Sequence, residues 1–181
     1  MKKFLAMLLS AALLCPAMAM AEDTIKIGIF EPMTGATAAG GSMEKEGFDL
    51  ANELYPDVLG KKIELVYGDN KSDRAEATLA AQSLVDKGVV AVLGSYGSGL
   101  SVAGGEVFAE NEIPALTATA TNPTITLDCE WYARICFIDP FQGSVAAAYC
   151  DQQGYKTACI MFNNADAYAV GLKDAFVENF K

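Results

Sequence analysis

Val89-Val90-Ala91-Val92-Leu93 runs directly into Gly94-Ser95-Tyr96-Gly97-Ser98-Gly99 and then into the helix-forming stretch 100–111. Five consecutive apolar residues fit a strand buried on both faces, as a parallel sheet covered by helices demands. The glycines then turn the chain out of the strand and into a helix.

The same unit recurs on either side. Residues 24–31, 62–67 and 114–117 read as further strands, and residues 43–55 and 73–87 as helices with Ser42 and Ser72 as caps. The 73–87 stretch is mostly Ala and Leu with charges at its ends, so propensity and periodicity agree there. This βαβαβαβ order predicts an α/β fold, a doubly wound parallel sheet with helices on both faces. Ligands of such sheets sit beyond the carboxyl ends of the strands, which directs attention to the loops after Leu93 and Thr117.

Beyond residue 117 the composition changes. Residues 119–127 form a Thr-rich loop in which Asn122-Pro123 opposes helix. A strand is expected over 132–138 and a crossover between lobes at Asp139-Pro140. Helix 142–151, strand 157–162 and helix 169–180 follow. The reading is an N-terminal lobe over 22–139 and the start of a second over 140–181, too few strands for a sheet of its own. The chain therefore reads as a fragment of a two-lobed protein.

At the other end, Met1-Lys2-Lys3, an apolar run over 4–14 and Ala19-Met20-Ala21 before Glu22-Asp23 make a secretory signal peptide with cleavage expected after Ala21. The apolar run is shorter than the roughly 20 residues of a membrane span. Cys15 is not preceded by the small residue that lipid attachment favours. The expected location is periplasmic or extracellular.

Removing residues 1–21 takes away Lys2 and Lys3 and no acid, so the formal charge moves from −10 to −12. Such a balance argues against nucleic acid, whose phosphates need clustered Lys and Arg. Cys129, Cys136, Cys150 and Cys159 remain. Export permits disulfides, and Cys129 and Cys136 are close enough to bridge a turn, whereas Cys136 and Cys159, in apolar runs, equally fit buried free thiols. The absence of histidine and of any CxxC pair argues against a metal site.

The loop 94–99 offers glycines for close backbone approach, a helix start with unpaired N–H groups, and the Ser98 hydroxyl. This is chemistry for an anion, although an ordinary βα turn capped by Ser95 or Ser98 uses the same residues. It lacks the lysine of a P-loop and the spacing of GxGxxG. Thr117, Thr119 and Thr121 add hydroxyls and carbonyls at the same expected sheet edge. Together the loops suit a carboxylate beside an ammonium.

Ile25-Lys26-Ile27-Gly28, Pro32-Met33-Thr34-Gly35, Gly68-Asp69-Asn70, Val92-Leu93-Gly94 with Ser98, Ala118-Thr119-Ala120-Thr121-Asn122-Pro123 and Arg134-Ile135-Cys136-Phe137-Ile138-Asp139-Pro140-Phe141-Gln142-Gly143 occur in that order. In these stretches the chain resembles the leucine/isoleucine/valine-binding proteins, the extracytoplasmic receptors of branched-chain amino-acid ABC transporters. The resemblance implies the type I periplasmic-binding fold, closure of two lobes on a small-molecule ligand, a membrane permease as partner, a monomer, no cofactor and no catalysis.

It also implies roles for particular residues. Ser98 would donate to the ligand carboxylate, Thr121 would meet both ends of the amino acid, the Thr119–Ala120 backbone would offer a carbonyl to the ammonium, and Tyr168 would face the cleft from the second lobe. Gly40 stands where branched-chain binders carry an aromatic, and Tyr96 where a leucine lines the pocket, so the ligand side chain is open, and an amide or urea is an alternative.

Read without the resemblance, Tyr168 is a surface aromatic at a helix start, Asp69-Asn70 a turn and cap, Arg134 with Asp139 a lobe-edge polar pair, and the charges over 44–53 a solvated face. A sensory receptor is the near alternative. An exported α/β enzyme is the distant one, because histidine, GxSxG, a Walker lysine and HExxH are all missing.

Overall fold

The computed structural model describes residues 24–127 and 129–181, so the expected signal peptide lies outside the described residues. Strand β1 (Ile25–Glu31) is followed by helix α1 (Ala38–Leu54), the short strand β2 (Asp57–Val58) and strand β3 (Lys61–Asp69). Helix α2 (Arg74–Asp86), β4 (Ala91–Gly94), α3 (Ser98–Glu110) and β5 (Ala115–Thr117) continue the alternation. A one-turn 3₁₀ helix (Pro123–Ile125), β6 (Tyr132–Arg134), α4 (Asp139–Gln152) and α5 (Ala167–Asn179) complete it.

The strands form a six-stranded sheet in the order β2-β3-β1-β4-β5-β6. All neighbours are parallel except the β2–β3 edge hairpin, a pair the sequence analysis did not anticipate. From β1 the chain crosses to β3 on one side and later to β4 on the other. The strand ends beside β1 thus bound the crevice where a doubly wound sheet binds ligands.

Alternation along β1 assigns its two faces. Phe30 meets Phe108 of α3 edge to face, with centroids 5.4 Å apart, and joins Ala77, Ala81 and Leu84 of α2 in one buried cluster. Ile29 and Glu31, on the opposite face, are also fully buried. Small residues on α2 let that helix pack closely against both α3 and the sheet.

The structure moves several expected boundaries. Helix α1 begins at Ala38 rather than after Ser42, because Thr37 N and Oγ1 both bond to Ser72 Oγ, at 3.0 and 2.9 Å, and this fixes the chain direction early enough for Gly40-Gly41 to join the helix. Asp73, not Ser72, caps α2, accepting from Ala75 N and Glu76 N at 2.8 and 3.0 Å. The expected strand 132–138 is only Tyr132–Arg134 long. The helix expected from 142 already starts at Asp139-Pro140, with proline in the first turn where it suits a helix. Residues 157–162 form no strand; a strand exists only when its backbone groups pair with a neighbour, and none lies beside them among the described residues. The four cysteines among the described residues are free thiols; Cys159 is exposed and Cys136 half-buried, so neither is the buried hydrophobe that the apolar runs around them implied.

Candidate functional site

Three neighbouring strands, β1, β4 and β5, end side by side at Glu31, Gly94 and Thr117. At Gly94 φ is +113°, and a Cβ would lie 2.1 Å from Phe30 O, so only glycine lets the chain leave the sheet there. The following Ser95 is fully buried. Its Oγ accepts from Asn70 Nδ2 at 2.9 Å and donates to Tyr96 O at 3.0 Å, while its carbonyl accepts from the hydroxyls of Ser101 and Thr117 at 3.0 and 3.2 Å. Tyr132 donates to Gly94 O at 2.6 Å, and burial holds that phenol well above its usual range.

Neither Ser95 nor Ser98 caps α3. Gly97 occupies the cap position without a side-chain bond, and Ser98 is the first helical residue. At 1 % exposure, Ser98 Oγ accepts the Asn122 backbone N–H at 3.2 Å. Its own proton is available to an acceptor in the cleft, beside the first N–H groups of the helix.

The second loop is stapled from below. Arg134 donates through Nη1 to Ala120 O at 2.8 Å and through Nη2 to Asn122 O and Thr126 Oγ1 at 2.8 and 2.9 Å. It is therefore a loop clamp whose charge also reaches Asp139 without a salt bridge among the described residues, and the Ala120 carbonyl is taken by Arg134 together with the Cys136 thiol, at 2.8 and 3.5 Å. Thr117 Oγ1 accepts from Ala120 N at 3.1 Å, and Thr119 Oγ1 bonds to Glu44 Oε1. Glu44 thus belongs to the underside of the site and not to a solvated helix face. Asp69-Asn70 does hold turns: Asp69 Oδ1 accepts from Met33 N, Thr34 N and Lys71 N at 2.9, 3.2 and 2.8 Å.

Thr121 is buried, at 6 % exposure; its hydroxyl and Asp139 Oδ2 have no well-formed hydrogen bond to any other described group, and the hydroxyl lies close enough to the Asp139 carboxyl to favour its charged form. Burial pushes the Asp139 carboxyl up; the Thr121 hydroxyl and the Arg134 charge pull it back only in part. Buried polar atoms without partners are uncommon in folded proteins. Of the two residues, Thr121 lines the cleft.

Tyr168 enters through α5, whose cap Asp166 accepts from Tyr168 N at 3.1 Å. Its phenol is pushed up by burial first and then by Asp139, Tyr96 and Asp166. Tyr96, Ser98, Thr119, Ala120, Thr121 and Tyr168 all line one cleft of about 690 Å³, a volume suited to a small organic ligand. The Tyr96 ring lies over Gly40, where an added Cβ would fall 2.6 Å from the ring. Sequence reasoning did not assign Glu31, Glu44 or Arg134 to this site. A carboxylate closing the apolar run of β1 was the one available signal.

A family model described as periplasmic binding protein matches residues 24–181. The chain belongs to that family. Among its relatives, a Leu/Ile/Val-binding protein homolog of Brucella abortus is 31 % identical over 168 residues, which make up 89 % of this chain and 45 % of the relative. The crystal structure of a leucine-binding protein, LivK, of Thermotoga maritima is 37 % identical with a TM-score of 0.84, covering 86 % of this chain and 45 % of that one. A solute-binding protein of an ABC transporter from R. palustris, in complex with 4-hydroxybenzoate, is 28 % identical with a TM-score of 0.80, over 87 % and 44 % of the two chains. The chain thus spans about half the length of these relatives. The mostly parallel sheet expected from the βα alternation, and the periplasmic-binding fold that the resemblance implied, are what the structure and its neighbours have.

Proposed function

We propose that this periplasmic binding protein is the extracytoplasmic substrate-binding component of an ABC importer, and that it takes up a branched-chain or closely related amino acid. The observation that carries this reading is the convergence of Ser98, at a helix start, and Thr121 on one cleft that both residues line. The ligand carboxylate would accept from Ser98 Oγ and the first N–H groups of α3, where the helix dipole favours negative charge. Thr121 would donate to the same carboxylate and accept from the ammonium. Because Ala120 O is engaged by Arg134, the carbonyl offered to the ammonium in this reading is that of Thr119. Tyr168 would close the cleft from the α4–α5 side.

No step here breaks a covalent bond, so the role is binding and delivery to a membrane permease, by a monomer in the periplasm. A second reading, an aromatic carboxylate as ligand, is favoured by the Tyr96 ring on Gly40, which gives the cleft an aromatic wall, and by the relative that binds 4-hydroxybenzoate. Titration calorimetry on the protein as its gene encodes it, against leucine, isoleucine, valine and 4-hydroxybenzoate, tests both. Saturable binding of an aliphatic amino acid supports the first reading, binding of the benzoate alone the second. Turnover of any ligand overturns both.

A further inference from the structure

Glu31 and Glu44 meet beneath the cleft, on the face of β1 turned toward α1. Glu31, at 0 % exposure, accepts the Tyr96 N–H through Oε2 at 2.8 Å, while Glu44 Oε1 takes the Thr119 hydroxyl. One carboxyl therefore holds the loop that leads to Ser98, and the other holds the loop that leads to Thr121. Their remaining oxygens, Glu31 Oε1 and Glu44 Oε2, are buried and accept from no other group, yet the two side chains are within hydrogen-bonding reach of each other.

We propose that Glu31 and Glu44 share one proton and act as a strut that positions the two ligand loops of the cleft. Two ionised carboxylates in contact inside a fold repel one another and lack solvent, and a single proton between them satisfies both orphaned oxygens. Among the described residues no other donor fills that place. Burial, then the Glu44 charge, raises the Glu31 carboxyl from 4.5 to about 9, with the Tyr96 N–H pulling the other way. Burial likewise raises Glu44, against the bonds from Thr119 and Glu31. The groups facing the pair from other elements are the Tyr96 amide after β4, Thr119 after β5, Tyr132 on β6 and Cys136 just beyond it. Among the described residues no cation acts on either carboxyl. The strut is a positioning device, and it touches no ligand.

The sign of its pH dependence follows. Folding takes up a proton between the ordinary value of 4.5 and about 9, so the strut's contribution to stability is complete below that window, declines through it and is gone above it. Carbon-13 NMR of glutamate-labelled, ligand-free protein is expected to show one glutamate carboxyl titrating near pH 9. Glu44→Gln, whose amide can donate to Glu31 while still accepting from Thr119, should move that titration well down. Amide exchange at Tyr96 and Asn122, normalised to Val92, should lose protection at least tenfold above pH 9 in the parent protein and already at neutral pH in Glu44→Ala. Should Glu44→Ala not fold, the parent and Glu44→Gln titrations decide the matter alone.

The idea is overturned if every glutamate titrates in the ordinary range, if Glu44→Gln leaves the high titration in place, or if Glu44→Ala keeps both loops protected. Its effect on affinity rests on the function proposed above, and leucine titration at pH 7 and 9.5 reads that separately. Absence of leucine binding at both values removes the functional reading without touching the ligand-free result.

Discussion

Asn122 donates its backbone N–H to Ser98 Oγ at 3.2 Å, so a residue of the loop after β5 and the first residue of α3 are held against each other at the floor of the cleft. Ser98→Ala removes both this acceptor and the hydroxyl assigned to the ligand. A charge-assisted bond is worth about 1.5–3 kcal/mol, so affinity should fall roughly tenfold to a hundredfold. Thr121→Val differs. Its hydroxyl favours the charged Asp139 carboxyl but makes no well-formed hydrogen bond among the described residues, so unfolding should shift by no more than about 1 kcal/mol while affinity drops comparably. Calorimetric titration beside urea unfolding separates the two effects, and a Thr121→Val protein that loses stability but keeps affinity would show the hydroxyl to be structural.

Tyr96 rests on Gly40, with 2.6 Å between its ring and an added Cβ. Gly40→Ala gains about 1 kcal/mol of helix propensity but displaces the ring. Stability should therefore change little while ligand affinity shifts. Tyr96→Leu should suppress the effect of Gly40→Ala, with a coupling of about 0.5 kcal/mol or more in a double-mutant cycle on affinity. Strict additivity would mean that the ring's seat on Gly40 has no part in binding.

Arg134 bonds to two carbonyls and a hydroxyl of the 120–126 loop. Replacement by Met leaves those acceptors unpaired and should cost about 2–3 kcal/mol in denaturant unfolding. Arg134→Lys should recover little, because a single ammonium cannot reproduce the planar fork. Full recovery by lysine would show that charge alone suffices.

Asp69 is the acid-sensitive anchor of the 33–35 turn. Burial raises its carboxyl, but bonds from Thr34, Lys71 and Met33 outweigh burial and hold it below its ordinary 3.8. A lowered carboxyl contributes stability that is present above the ordinary value and lost as pH falls through the folded one. Urea midpoints measured between pH 2 and 5 should therefore fall more steeply for the parent protein than for Asp69→Asn. Parallel curves would assign acid sensitivity to other carboxyls.

The sequence by itself determined the alternation of strands and helices, the parallel sheet and the two loops on which Ser98 and Thr121 sit. These follow from local facts: unbroken apolar runs such as Val89-Val90-Ala91-Val92-Leu93, glycines at turns, and Ala-rich helical stretches. Caps and ends were less legible. Ser72 and Asp73 are both good caps, and which one acts was decided by Thr37, 35 residues away, which occupies the Ser72 hydroxyl. The 157–162 segment shows the same dependence, since apolar content makes a strand only where a neighbour supplies the hydrogen bonds. Tertiary structure alone decided the lower half of the site. Glu31 closes one strand, Glu44 lies on the next helix and Arg134 on a strand 90 residues further on; nothing in their spacing announces that they meet the same two loops. Folding brings them together because β1, β4, β5 and β6 are neighbours in the sheet, while one-letter patterns record only which residues are adjacent along the chain.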